Sequence, residues 1–115
     1  MRVIALRNKD TGAVLAEAAW LAESHWARLR GLIGRRLLPG GGMVITPCSG
    51  IHTFFMSYPI DVLYVGRDGR VLRCLPALQP NRFGPLDRRA HCVVELPVGT
   101  IARTGTQVGH ELEFA

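Results

Sequence analysis

The stretch Ile60–Leu75, with the sequence IDVLYVGRDGRVLRCL, decides the fold class of this chain. Ile60–Val65 is apolar on both alternating faces except at Asp61, which is typical of a strand buried on both sides. Gly66–Gly69 supplies a tight turn, and Val71–Leu75 is again of strand length and mostly apolar. The stretch therefore predicts a β-hairpin whose first strand lies inside the protein.

Strand-length apolar runs continue on both sides of this hairpin. Val3–Leu6 and Ala13–Ala18 flank a cluster of turn-forming residues, so the chain is expected to open with another hairpin. The later strands are predicted at Met43–Thr46, Ile51–Met56, Ile60–Val65, Val71–Leu75, Cys92–Leu96 and Val108–Phe114. Most connections are short, which favours antiparallel pairing.

Only one segment has convincing helical spacing. After Ser24, which can cap a first turn, apolar residues recur at Trp26, Leu29, Leu32 and Ile33. A further single helical turn is predicted at 100–105. The sequence thus predicts a mainly β (α+β) fold, with residues 1–115 forming a single domain. Its sheet is expected to be small, curled, antiparallel and barrel- or sandwich-like, with about six to eight strands and one main helix.

Charge and cysteine content limit the classes of function. The chain has 115 residues and a net charge of +5, but its basic residues are dispersed without a run of five, which disfavours nucleic acid as a partner. The apolar runs, such as Val62–Val65, are only of strand length, so no membrane partner is expected. Three cysteines and an N-terminus without a secretory apolar region indicate a reducing, cytoplasmic location.

Polar residues within apolar strands mark the candidate site. His52 and Met56 share one face of a predicted strand, and Glu95 interrupts another. If these faces converge, they line a pocket for a small polar ligand, in which Arg35 holds an anionic group and Asp61 accepts hydrogen bonds. Asp61 has a competing interpretation as a structural anchor, paired with arginine or with backbone donors.

Cysteine and histidine spacing does not predict a metal centre. Cys48 and His52 have a C-x3-H spacing and His91 adjoins Cys92, but the chain has no C-x2-C pair. The sequence therefore predicts neither a metal nor a cofactor.

Several short motifs follow one another along the second half of the helix and the later strands. They are GLIGR at 31–35, LP at 38–39, GM at 42–43, HTFFM at 52–56, PIDVLYV at 59–65, GxV at 69–71, VELPxGT at 94–100 and GxxxG at 105–109. Their order along the chain resembles that of domain of unknown function family 192, over about Arg28 to Leu112. The resemblance implies a small, mainly β domain with one helix, found in bacteria and archaea, without an assigned activity or cofactor.

Three functions compete at this point. The first is a non-catalytic binding module for a small polar ligand, with the irregular segment Pro76–Ala90 acting as a lid over the pocket. The second is a small hydrolase that uses Asp61 or Glu95 with His52 for proton transfer. The third is a weak nucleic-acid-binding module with an open sheet face.

Overall fold

A computed structural model describes residues 1–115. Seven strands form one mixed sheet, curled into a half-barrel, in the order β5-β4-β6-β3-β2-β1-β7. Two short helices accompany it, so the predicted mainly β fold is confirmed. The elements are β1 Arg2–Asn8, β2 Val14–Ala22, α1 His25–Arg30, β3 Gly41–Ile45, β4 Ile60–Gly66, β5 Val71–Leu78, β6 Ala90–Pro97, α2 Thr100–Thr104 and β7 Leu112–Phe114.

Two hairpins frame the sheet as the sequence predicts. Strands β1 and β2 pair antiparallel beside the short edge strand β7, and β4 and β5 pair antiparallel at the opposite edge through the turn at 66–69. One pairing departs from the expected antiparallel pattern, because β2 and β3 run parallel, with Trp20 opposite Met43. Segment 23–40, which contains α1, crosses over between them, and a parallel pair requires a crossover of this kind.

Each face of the sheet carries its own apolar core. One cluster is built around Leu6, Leu63 and Leu96, and the other around Met43 and Tyr64. Strand β4 contributes to both, which explains why nearly every residue in it is buried. The prediction of a strand buried on both sides is therefore confirmed, and the second face is the one that α1 and segment 46–59 cover.

Three predicted elements differ from the structure. Ile51–Met56 is not a strand: only His52 makes an isolated bridge, to Phe83, and Phe55 has a positive φ of 67°, which ends extended pairing. The main helix stops at Arg30, because Gly31 adopts φ 51° and ψ −126°. Near the C-terminus, only Leu112–Phe114 forms a strand.

Hydrogen bonds hold segment 79–89 against residues 49–53. The buried Thr53 hydroxyl donates to the Gln79 carbonyl at 2.6 Å and accepts from the Arg82 amide at 2.9 Å. The buried Asp87 carboxylate pairs with Arg73 and Arg89 at 3.0 and 2.8 Å, and these guanidinium groups hold its pKa below its usual range. This segment is therefore held by its own polar contacts.

Candidate cavity around Glu95

Glu95 is a carboxyl group buried in the middle of the sheet. It lies on β6 between Met43 of β3 and Val62 of β4, and it is only 2% exposed. Its Oε1 atom has no hydrogen-bond partner. Residues directly opposite one another in a sheet point to the same face, so the Glu95 side chain projects toward the face that α1 and segment 46–59 cover.

A cavity of about 120 Å³ lies over the Glu95 side chain. The end of α1 and the turn after it form one wall, and Gly31 brings bare backbone close to the carboxyl group. A Cβ atom at Gly31 would lie 3.7 Å from Glu95 Oε1. The loop that follows β3 forms the opposite wall. The principal lining side chains are Arg28, Leu32, Ile45, Cys48, His52, Phe54, Met56 and Glu95.

A direct hydrogen bond joins the two walls. Arg28 Nη1 donates to the Pro47 carbonyl at 3.1 Å, while Arg28 Nε is buried without a partner. Helix α1 has no buried side chain of its own. Its position over the cavity therefore depends on this bond, on the Ser24 cap that accepts from the Ala27 amide at 3.1 Å, and on the packing of Leu32.

Burial controls protonation in this cavity. It raises the pKa of Glu95 to about 8, because the charged carboxylate loses its hydration. Burial also raises the pKa of the Cys48 thiol. Glu95 is therefore mostly neutral at pH 7, and in that state its carboxyl group can donate one hydrogen bond as well as accept others.

A larger cleft of about 660 Å³ adjoins this cavity, and Leu32 and Met56 line both. The cleft also contains Arg35, whose guanidinium carbon lies 5.2 Å from the Trp20 ring centroid. Arg35 Nε is buried and has no hydrogen-bond partner. The remaining lining residues are Gly34, Arg36, Leu37, Phe55, Ser57, Tyr58, Pro59, Pro97 and Val98.

Buried side-chain nitrogen and oxygen atoms without hydrogen-bond partners occur only at these two cavities. The chain has three buried side-chain nitrogen or oxygen atoms that make no hydrogen bond, and they belong to Glu95, Arg28 and Arg35. Native proteins satisfy nearly all such atoms, so each exception calls for a physical explanation. Here all three belong to residues that line one pair of adjoining cavities.

The structure brings together three of the five residues proposed from sequence. His52, Met56 and Glu95 line the inner cavity, although 51–56 is a loop rather than a strand. Arg35 lies in the adjoining cleft. His52 is exposed, and its Nδ1 accepts from the Phe54 amide at 3.3 Å.

Asp61 is not at either cavity. It lies opposite Leu96, on the other face of the sheet from Glu95, and is 1% exposed. Its two oxygens accept from the Ala77 and Ile101 amides at 2.9 and 2.8 Å. These contacts match the anchor interpretation, and the donors are backbone amides rather than an arginine.

The sequence did not point to Arg28, which lines the inner cavity. Cys48 also lines the cavity, and the C-x3-H spacing to His52 was the one signal that linked these two residues to one place. The segment expected to act as a lid, 76–90, contributes no lining residue to either cavity. It contacts residues that line the inner cavity: the Phe83 ring packs edge-on against Phe54 at 4.9 Å, and the Gly84 amide donates to the Ile51 carbonyl at 2.8 Å.

Two further structural findings bear on function. No three His, Cys, Asp or Glu side chains are grouped in a way that could hold a metal ion. Neither helix has the length and apolar character needed to cross a bilayer. The molecule is thus a curled, mixed β-sheet protein with a buried, unpaired carboxyl group beneath a short helix.

Comparison with known proteins assigns this fold to a family. The DUF192 family model, described as "Uncharacterized ACR", matches residues 6–114, and the chain belongs to this family. A UPF0127 protein of Thermococcus sibiricus is 29% identical over 114 residues, which is 95% of this chain and 73% of that protein.

Two solved structures share the fold. A protein of unknown function from Novosphingobium aromaticivorans superimposes with a TM-score of 0.81 at 24% identity, over 96% of this chain and 83% of that one. A protein from Sinorhizobium meliloti 1021, provisionally described as a transcription regulator, gives a TM-score of 0.79 at 24% identity, over 97% and 92% of the two chains.

Proposed function

We propose that this protein is a non-catalytic binding module that takes the polar end of a small molecule into the cavity over Glu95. The observation that supports the proposal is that buried polar atoms without hydrogen-bond partners lie at a cavity. Glu95 Oε1 and Arg28 Nε are buried and unpaired, and both residues line the same cavity. A bound polar group would supply the hydrogen bonds that these atoms lack.

The volume of the cavity and the protonation state of Glu95 define the group that fits. A volume of about 120 Å³ equals the liquid volume of about four water molecules, so it admits a polar group rather than a whole metabolite. Neutral Glu95 offers both a donor and an acceptor, and Arg28 Nε offers a donor. An uncharged amide, which presents a carbonyl oxygen and an N–H group, complements this set.

The hydrolase alternative has weaker support from the same geometry. General acid and base catalysis by two carboxyl groups needs both near the reacting atoms. Asp61 lies on the opposite face of the sheet, and both of its carboxylate oxygens accept hydrogen bonds from backbone amides. Only Glu95 and the exposed His52 remain, and the structure holds no direct hydrogen bond between them.

Acetamide is a suitable probe for the proposed cavity. Titration at millimolar concentrations, followed by amide NMR spectra, is expected to shift resonances of residues 28–33 and 93–96 in the wild-type protein. Glu95→Leu, which removes the carboxyl group and fills the cavity, is expected to abolish these shifts. Glu17→Leu is a control at an exposed carboxylate and should behave as wild type. Equal shifts in the Glu95→Leu variant would refute the proposal.

A further inference from the structure

We propose that the cleft beside the Glu95 cavity binds the single anionic group of a small, ring-bearing molecule, through Arg35 and Arg36, while Phe55 and Tyr58 pack against the ring. The inference deepens the proposed function and rests on it for the other end of the ligand. The anionic group is a carboxylate or a phosphate, because both match a guanidinium in the same way.

The charge of the cleft is uniformly positive. Arg35 and Arg36 line it, and no acidic residue does. Neither arginine takes part in any ion pair of the structure. A guanidinium group that lacks an acidic neighbour inside a concave surface is free to pair with an anion from solution.

Arg35 is positioned before any ligand arrives. Its guanidinium group stacks over the Trp20 ring at 5.2 Å, and the Tyr58 hydroxyl donates to the Arg35 carbonyl at 2.8 Å. These contacts hold the residue from both its side chain and its backbone, yet Nε is buried without a partner. Preorganised donors lose less conformational entropy on binding than mobile ones do.

The aromatic part of the cleft includes an exposed phenylalanine, although contact with water does not stabilise an apolar side chain. Phe55 is 82% exposed and has a positive φ of 67°, a conformation that is costly for a bulky residue. Backbone strain of this kind clusters at ligand sites, where the surrounding structure enforces it. Phe55, Tyr58 and Val98 give the cleft an apolar wall suited to a ring.

The two cavities form one site of ordinary size for a small molecule. Leu32 and Met56 line both, so a ligand can place a polar group against Glu95 and an anionic group against Arg35. The outer volume of about 660 Å³ falls within the usual range of roughly 300 to 1,000 Å³ for small-molecule pockets.

Charge across the whole molecule points to the same place. Six of the fourteen basic residues form ion pairs, which leaves eight without one. Four of these eight line the two cavities: Arg28, Arg30, Arg35 and Arg36. The unpaired positive charge is therefore concentrated around the site, although the arginines are dispersed along the sequence.

Phenyl phosphate and benzoate are the probes for this site, and Trp20 is the reporter. In a Trp26→Phe background Trp20 is the only tryptophan, and a ligand on Arg35 is expected to change its emission in a saturable way. Arg35→Met should weaken binding of the better probe by roughly tenfold or more. Arg88→Met removes the same charge from an exposed position outside both cavities and should leave binding unchanged.

A second variant separates binding from folding. Arg36→Met leaves the Trp20 contact intact and should also weaken binding, and thermal melts establish that each variant is folded. Binding of benzoate but not phenyl phosphate identifies the group as a carboxylate, and the reverse identifies a phosphate. No saturable binding of either probe, or an equal loss in Arg35→Met and Arg88→Met, overturns the proposal.

Nucleic acid is tested in the same assay. Tighter binding of an oligothymidylate than of either probe, with loss in Arg35→Met, would also overturn the small-molecule proposal. The acetamide titration tests the inner cavity separately, because the changes that acetamide causes in the NMR resonances of residues 28–33 do not depend on Arg35. Their persistence after failure of the cleft assay would leave the proposed function standing.

Discussion

Burial gives Glu95 a much higher pKa in the folded protein than in the unfolded chain, and this difference makes stability depend on pH. The unfolded chain ionises Glu95 near pH 4.5, whereas the folded protein keeps the proton up to about pH 8. The contribution of Glu95 to the free energy of unfolding is therefore fully present below pH 4.5, and it is lost as the pH rises to 8. The full loss is about 5 kcal/mol.

The variant Glu95→Gln, which has similar size and no charge, is expected to remove this pH dependence. Its free energy of unfolding at pH 8 should exceed that of the wild type by a few kcal/mol, because a buried charge is no longer formed. Urea unfolding at pH 5, 7 and 9 measures the difference, with Glu17→Gln as an exposed control. Parallel wild-type and Glu95→Gln profiles would contradict the burial argument.

Asp61 stabilises the fold through backbone contacts. Its carboxylate accepts from the Ile101 amide in the first turn of α2 and from the Ala77 amide at an irregularity in the pairing of β4 with β5. Asp61→Ala leaves both amides without this acceptor and should cost about 3 kcal/mol. Asp61→Asn keeps one oxygen acceptor and should cost less. The test is chemical denaturation, and a wild-type midpoint for Asp61→Ala would rule out the anchor role.

At the scale of elements, the turn after α1 determines the shape of the inner cavity. Gly31 has a backbone conformation that other residues adopt only under strain, and it approaches Glu95 closely. Gly31→Ala should therefore cost about 1 to 3 kcal/mol and weaken acetamide binding. Gly40→Ala is the control, since Gly40 also has a positive φ but has no atom within 4 Å of an added Cβ. Equal acetamide affinity in both variants would show that Gly31 does not shape the site.

At the scale of the whole molecule, two apolar cores on opposite faces of one sheet hold the fold. The three cysteines are free, and the chain has no metal-ligating group of three side chains. Thermal melts with and without EDTA, and with and without reductant, are therefore expected to coincide. A melting temperature that falls by several degrees in EDTA would point to a metal bound by residues outside such a group.

Local sequence was sufficient for most of the sheet. The apolar run in β4, the turn at 66–69 and the opening hairpin follow from periodicity and turn chemistry, which act between near neighbours. The same information failed at 51–56, because Phe55 leaves extended geometry and Thr53 bonds to residues about 26 to 29 positions away. Contacts at that separation leave no periodic trace in the sequence.

By itself, the sequence determined the fold class and the residues able to carry polar chemistry. Tertiary structure decided which of them meet. The registers Glu95–Val62 and Asp61–Leu96 place the two carboxyl groups on opposite faces, so one is an unpaired group in a cavity and the other an anchor for backbone amides. The parallel pairing of β2 with β3 and the turn at Gly31 bring Arg28 and Arg35 to the same face. Strand register and chain crossing are long-range properties, and no local pattern contains them.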